Sequence, residues 1–217
     1  MREATPGKAA TPLVSVVDVA KEFGSRVLWD GLGFDVEHGQ MLALTGASGA
    51  GKTTLLNCLG LLETVDRGHI VIGGADVTRF GPRRARLFRR DQLGYLFQNY
   101  ALIENATVAD NLDVASRPGR GRRGGYEEAL EQVGLAGRLK EKVFRLSGGE
   151  QQRVALARLI VKRPVVVLAD EPTGALDEAN ADAVIKILRG MASQGCAVII
   201  ATHNPRVEAA CDSVVHI

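Results

Sequence analysis

The chain predicts an α/β fold built on a mostly parallel sheet, and three observations carry that expectation. An apolar strand, a glycine-rich loop and a helix-periodic stretch follow one another across residues 41–62. After Pro164, apolar β-branched runs at 165–169 and 197–201 flank a helical stretch at 178–191, the pattern of strands joined by crossover helices. Between about 100 and 162 such runs become rare, so a helical insert divides the sheet in sequence.

From the N-terminus, residues 1–12 read as a short disordered leader, with Pro6, Gly7 and Pro12 opposing regular structure. Residues 13–19 read as a strand and 21–24 as a turn. Residues 34–36 and 41–45 are further strands, separated by His38-Gly39. Leu55, Leu56, Leu59 and Leu62 then recur at helical spacing. Residues 70–72 form a short strand ended by Gly73-Gly74, 82–90 a basic helix, and 93–97 a strand that ends at Gln98. Within the insert, 126–133 and 150–161 read as helices and 117–125, rich in Gly and Arg, as an exposed loop. A short helix follows Pro205, and 214–217 closes as a strand.

Composition excludes several classes. The 217 residues suffice for one large α/β domain or a core with a subdomain, and a hydrophobic share of 46% supports a substantial core. Aromatics at 5% argue against a stacking surface for single-stranded nucleic acid, and a net charge of +2 gives no field aimed at nucleic acid. No apolar run approaches the ~20 residues that span a bilayer, and the leader has no apolar core for secretion. A cytoplasmic protein is expected. Cys58, Cys196 and Cys211 are too widely spaced for a metal or redox motif and read as buried thiols. No internal repeat occurs, so one cassette is present.

Gly46-Ala47-Ser48-Gly49-Ala50-Gly51-Lys52-Thr53, followed by Thr54, is a full G-x-x-x-x-G-K-[ST] phosphate-binding loop. Its glycines let backbone N–H groups converge on phosphate oxygens. Lys52 reaches the outer phosphates of a triphosphate, the Thr53 hydroxyl can coordinate Mg²⁺, and the following helix presents its positive end. The buried strand at 165–169 delivers Asp170 and Glu171 together, which is costly unless they act on something. Asp170 suits holding Mg²⁺, through a metal-bound water, and Glu171 suits polarising the water that attacks the γ-phosphorus. Ser147-Gly148-Gly149-Glu150 satisfies a capping box, yet two glycines in a first helical turn weaken the helix. A bare backbone that an anion can approach accounts for them better.

In these motifs the chain resembles the nucleotide-binding subunit of ATP-binding cassette (ABC) transporters, over residues 13–217. Residues 46–53 match Walker A, Gln98 the Q-loop, 146–151 the signature motif, 165–170 Walker B and Glu171 the catalytic glutamate. Ala175-Leu176-Asp177 matches the D-loop and His203 the switch histidine. The resemblance implies a P-loop NTPase (RecA-like) core at 13–98 and 163–217, an N-terminal antiparallel β portion and a helical signature subdomain at 99–162. It also implies a head-to-tail homodimer with ATP and Mg²⁺ at the seam. Ser147, Gly148, Gly149 and Glu150 would face the opposite subunit's nucleotide. Gln98 would sense Mg²⁺ and the γ-phosphate, His203 would touch the γ-phosphate and attacking water, and Phe23 would stack on adenine.

Three departures stand out. Glu150 replaces the commoner glutamine, Phe23 replaces tyrosine, and relatives usually continue past Ile217 through another strand and a glycine turn. Residues 171–177 resemble the branch serving macrolide exporters, lipoprotein release and the cell-division ATPase. Residues 97–105 look like a group of bacteriocin or antimicrobial-peptide exporters. The expected partner is an integral-membrane permease, with this chain peripheral on the cytoplasmic face of the membrane. An ATP-driven regulatory switch of the cell-division type is the alternative. Repair-type relatives carry long coiled coils, translation-type ones two cassettes, and neither feature occurs here. Arg83, Arg84, Arg86, Arg89 and Arg90, with Arg117, Arg120, Arg122 and Arg123, read as solvated faces, or as a surface drawn to anionic lipid.

Overall fold

The computed structural model describes residues 11–115, 125–174 and 176–217; most of the expected leader, the arginines at 117–123 and Ala175 lie outside them. Five strands are buried as continuous apolar runs or lie beside them: β3 (Met41–Thr45), β6 (Leu93–Leu96), β7 (Val166–Asp170), β8 (Ala197–Ala201) and β9 (Ser213–His216). They form an all-parallel sheet in the order β6-β7-β8-β3-β9. Strands covered on both faces need no polar alternation, and β3, β7 and β8 are buried at every position. A second, antiparallel sheet joins β1 (Val14–Phe23), β2 (Arg26–Val36), β4 (Arg67–Ile72) and β5 (Ala75–Asp76) in the order β2-β1-β4-β5.

The helices are α1 (Lys52–Leu59), α2 (Pro82–Asp91), α3 (Val108–Ala115), α4 (Tyr126–Gln132), α5 (Gly148–Lys162), α6 (Glu178–Ser193) and α7 (Pro205–Ala209). Leu55, Leu56 and Leu59 of α1 share one core with Val14, Val16, Ile70 and Ile72 of the antiparallel sheet. Leu112, Tyr126, Leu130, Val154 and Leu156, from α3, α4 and α5, share the other with Val167 and Val198. Each fully buried leucine contributes about 1.5–3 kcal/mol, so α1 is anchored by its apolar stripe. Register aligns the carboxyl ends of the central strands: Leu44 and Asp170 both pair with Ala201. Whatever follows β3, β7 and β8 therefore meets at one edge, where ligands of parallel sheets bind.

Several boundaries differ from the expectation. β1 runs on through 21–23, because Lys21 is buried and bound to Glu63 (3.1 Å) and Asp66 (3.3 Å); the turn falls at Gly24-Ser25. β2 starts at Arg26 instead of 34. α1 stops at Leu59, and Leu62 is 50% exposed and outside the helix. Leu61 takes a left-handed φ of 56°, which reverses the chain, and the Arg89 guanidinium donates to its carbonyl (2.6 Å). α3 and the short β5 were not foreseen.

Cys58 and Cys196 are buried, and burial pushes both thiols up to about 12; Cys211, partly exposed, is pushed to about 11. Among the described residues no helix is long and apolar enough to cross a membrane.

Candidate active site

The loop after β3 bends through glycines where other residues would be strained. Gly46, Gly49 and Gly51 have φ of 144°, 79° and 100°. Gly51 caps α1 without a side chain, and no acid stands in the first turn, so the helix end keeps its N–H groups for an external anion. Lys52 donates to the carbonyls of Gly46 (2.8 Å) and Ala47 (3.0 Å), which folds its ammonium over the loop. The Ala50 N–H closes the turn onto Ala47 (3.1 Å).

Asp170 ends β7 and is only 8% exposed. Burial pushes its carboxyl above the usual range; a bond from the Thr53 hydroxyl pulls it back, Glu171 adds to the rise and Lys52 opposes it. Glu171 sits at a left-handed φ of 46°, a conformation that costs a non-glycine residue about 1–3 kcal/mol. Its N–H donates to Ala201 on the neighbouring strand (2.9 Å), which holds it there. One carboxylate oxygen lies 2.7 Å from His203 Nδ1. The other is buried and, among the described residues, has no hydrogen-bond partner. An orphaned acceptor of this kind fits a water or hydroxyl donor brought with a ligand.

Lys52, Thr53, Gln98, Asp170 and Glu171 line one cavity of about 410 Å³, with Ser48, Gly49, Gly51 and Thr54 on the loop side. That is ample for a nucleotide-sized ligand. Phe23 stands at its rim, 52% exposed, with Lys21 Nζ 4.9 Å from the ring centre. Arg26 was missed by the sequence reading. It faces Phe23 across the hairpin, lines the cavity and donates to the Gly49 carbonyl (2.8 Å). Only its place opposite Phe23 could have flagged it. Among the described residues no group of three His, Cys, Asp or Glu is arranged to hold a metal alone. Thr53, Gln98 and Asp170 instead offer a few oxygens around one cavity, a donor set that suits Mg²⁺ arriving with phosphates.

The signature residues lie elsewhere. Ser147 caps α5: its hydroxyl accepts from the Glu150 N–H (3.3 Å), while its own N–H donates to the Glu150 carboxylate (2.8 Å). That N–H bond, with the Ser147 hydroxyl and Arg138 nearby, holds the Glu150 carboxyl below its usual range. None of 147–150 lines the cavity beside Lys52. A Cβ on Gly148 would meet nothing within 4 Å, and one on Gly149 only the Arg153 guanidinium at 3.9 Å. The chain's own packing therefore does not call for glycine at either position. Asp177 caps α6 by accepting from the Asn180 N–H (2.9 Å) and also stays outside the cavity. Of the arginines on α2, Arg84 stacks on Phe80 (3.9 Å) and Arg90 pairs with Asp91 (2.7 Å).

A glycine loop and paired acids at the carboxyl edge of a parallel sheet define a phosphate-loop nucleotide-binding protein, and the Ser-Gly-Gly helix start narrows it further. The family model for the ABC transporter ATP-binding region matches residues 29–174, and the chain belongs to that family. More particularly, it is similar to the macrolide export ATP-binding/permease protein MacB 1/2 of Paracoccus denitrificans, 39% identical over 97% of this chain and 33% of that protein. An uncharacterised ABC transporter ATP-binding protein of Thermotoga maritima is 39% identical over 80% of this chain and 76% of its own length. Among solved structures, a dimeric ATP-binding cassette in a post-hydrolysis state, bound to ADP and Pi, matches with a TM-score of 0.85. Identity there is 28%, and 94% of each chain is covered. The chain spans about a third of the length of the macrolide-export relatives it matches.

Proposed function

We propose that this chain binds and hydrolyses ATP as a head-to-tail homodimer and powers a membrane-spanning permease from the cytoplasmic face of the membrane. The observation that carries this reading is the pair Gly148-Gly149. Helical glycine loses up to about 1 kcal/mol relative to alanine, and none of the described residues occupies the space a Cβ would fill. A phosphate held by a second copy would explain the bare helix start.

In this reading 13–98 and 163–217 form the ATP-binding core, and 99–162 the helical subdomain that offers Ser147 to the opposite nucleotide. The loop N–H groups of 46–54 and the Lys52 ammonium bind the phosphates, and Phe23 stacks on the base. Mg²⁺, when bound, supplies positive charge to the β- and γ-phosphate oxygens; Thr53, Asp170 and Gln98 would hold it, Asp170 through a water. Glu171 accepts the proton of the attacking water through its partnerless oxygen, and His203 keeps the carboxylate aimed from the other side. Asp177 stands near the seam. Export of a peptide, antibiotic or lipid-like substrate is the transport direction that the macrolide-export relatives favour.

The test mixes two inactive variants. Lys52→Ala disables the phosphate loop and Ser147→Arg blocks the signature helix. A heterodimer of the two keeps one seam in which both halves are intact. Phosphate release should therefore reappear on mixing, although neither variant hydrolyses ATP alone. If the mixture stays as inactive as its components, the shared-seam reading fails.

A further inference from the structure

Two residues after the candidate Mg²⁺ contact Gln98, the backbone enters an unusual state. Tyr100 and Ala101 are consecutive non-glycine residues in the left-handed region, with φ of 61° and 45°. Such pairs persist only where the surroundings over-determine them. The agent here is Arg158 on α5. Its two terminal nitrogens donate to the Tyr100 carbonyl (2.5 Å) and the Ala101 carbonyl (2.7 Å). A planar guanidinium fork matches two carbonyls turned the same way, which an ammonium cannot.

The arrangement is an expensive one. Burial alone lowers the pKa of Arg158, and among the described residues no carboxylate bonds to it. A half-buried cation that bonds two backbone carbonyls, with no counter-charge among the described residues, is only partly compensated. One turn further along α5, Lys162 donates to the Arg89 carbonyl at the end of α2 (3.0 Å). The same helix face thus grips the chain just before β6 and just after Gln98. Ser147 caps the start of the same helix, about 16 Å from Arg158 along the axis.

We infer that Arg158 is a positioning residue for ATP hydrolysis: its guanidinium holds the turn after Gln98 against the signature helix, so that Gln98 and Ser147 move as one body. The inference rests on the roles given to Gln98 and Ser147 under the proposed function. Arg158 itself is outside the nucleotide cavity, so its loss should disturb turnover and spare nucleotide binding.

The experiment compares wild type, Arg158→Met, Ala101→Gly and the double variant in steady-state phosphate release, with Mg-ATP affinity read by fluorescence. Arg158→Met should lower kcat by about 10-fold or more while KM and ATP affinity stay within about 3-fold. Glycine takes the left-handed conformation without strain. Ala101→Gly should therefore recover about 3-fold or more of kcat in the Arg158→Met background, while changing wild type little. An arginine that acts through any contact other than this turn would not be rescued by a glycine at Ala101, the residue whose carbonyl it binds. If Arg158→Met does not fold, Arg158→Lys, which keeps charge and bulk but loses the fork, is measured in its place with the same rescue. Unchanged kcat, a KM rise that accounts for the loss, or absence of rescue each overturns the proposal. Gln98→Ala serves as control. If it turns over like wild type, the site reading fails; if it is inactive while the arginine variant is fully active, only this inference fails.

Discussion

Glu171→Gln isolates the chemistry of the site, because glutamine keeps the shape of the side chain and removes its basicity. In the structure one carboxylate oxygen is bound to His203 at 2.7 Å, and the other is buried and without a partner. If that second oxygen takes the proton of the attacking water, its loss forfeits general-base assistance, typically 10²–10⁴-fold, or about 3–5 kcal/mol of barrier. The left-handed backbone at Glu171 is unaffected by the exchange, so stability should change by less than about 1 kcal/mol. Mg-ATP affinity should hold, since the proposed phosphate contacts are the loop and Lys52. Slow turnover with intact binding should then accumulate an ATP-bound dimer. Phosphate release reads the first effect, a urea melt the second, and sedimentation with ATP the third. A variant that keeps more than about a tenth of wild-type turnover would show that Glu171 is not the base.

Two further outcomes are expected. Burial raises the pKa of Asp170, so its fold stability is greatest below the ordinary carboxylate value and declines as pH rises through the raised one. Asp170→Asn should therefore raise Tm at pH 7 while abolishing Mg²⁺-dependent turnover, and a lower Tm would contradict the assigned burial effect. At Gly51 a Cβ would lie 2.8 Å from Trp29 Nε1 at φ 100°, whereas at Gly73 it would meet nothing within 4 Å at φ 58°. Gly51→Ala should lose about 2–4 kcal/mol in a denaturant melt and Gly73→Ala about 1 kcal/mol; equal losses would show that crowding at Trp29 is immaterial.

The parallel sheet was legible because its strands are apolar without alternation, and β3 and β8 fall where the runs at 41–45 and 197–201 place them. The phosphate-loop motif, the two acids and His203 could be placed from sequence because each follows a recognisable apolar strand, and the structure sets them at the ends of β3, β7 and β8. What sequence hides is what distance decides. Lys21 looked like a turn residue, and two acids more than forty positions away make it a strand residue. Leu62 kept the helical spacing, but at Gly60, where a Cβ would crowd Tyr95 and Leu168, the helix ends and the chain turns away. Arg26 and Arg158 bond backbone carbonyls, which no residue pattern announces. The signature glycines were legible as a motif; the open space around them, a fact of packing, was not.

The three cysteines offer a practical opening for watching two copies come together. Cys58 and Cys196 are buried, Cys211 is half-buried, and burial pushes all three thiols well above their ordinary range, so they are poor nucleophiles near pH 7. Spin labels or fluorophores should react far faster with a single introduced surface cysteine than with the native three. A molecular ruler could thus be mounted with the three native cysteines left in place.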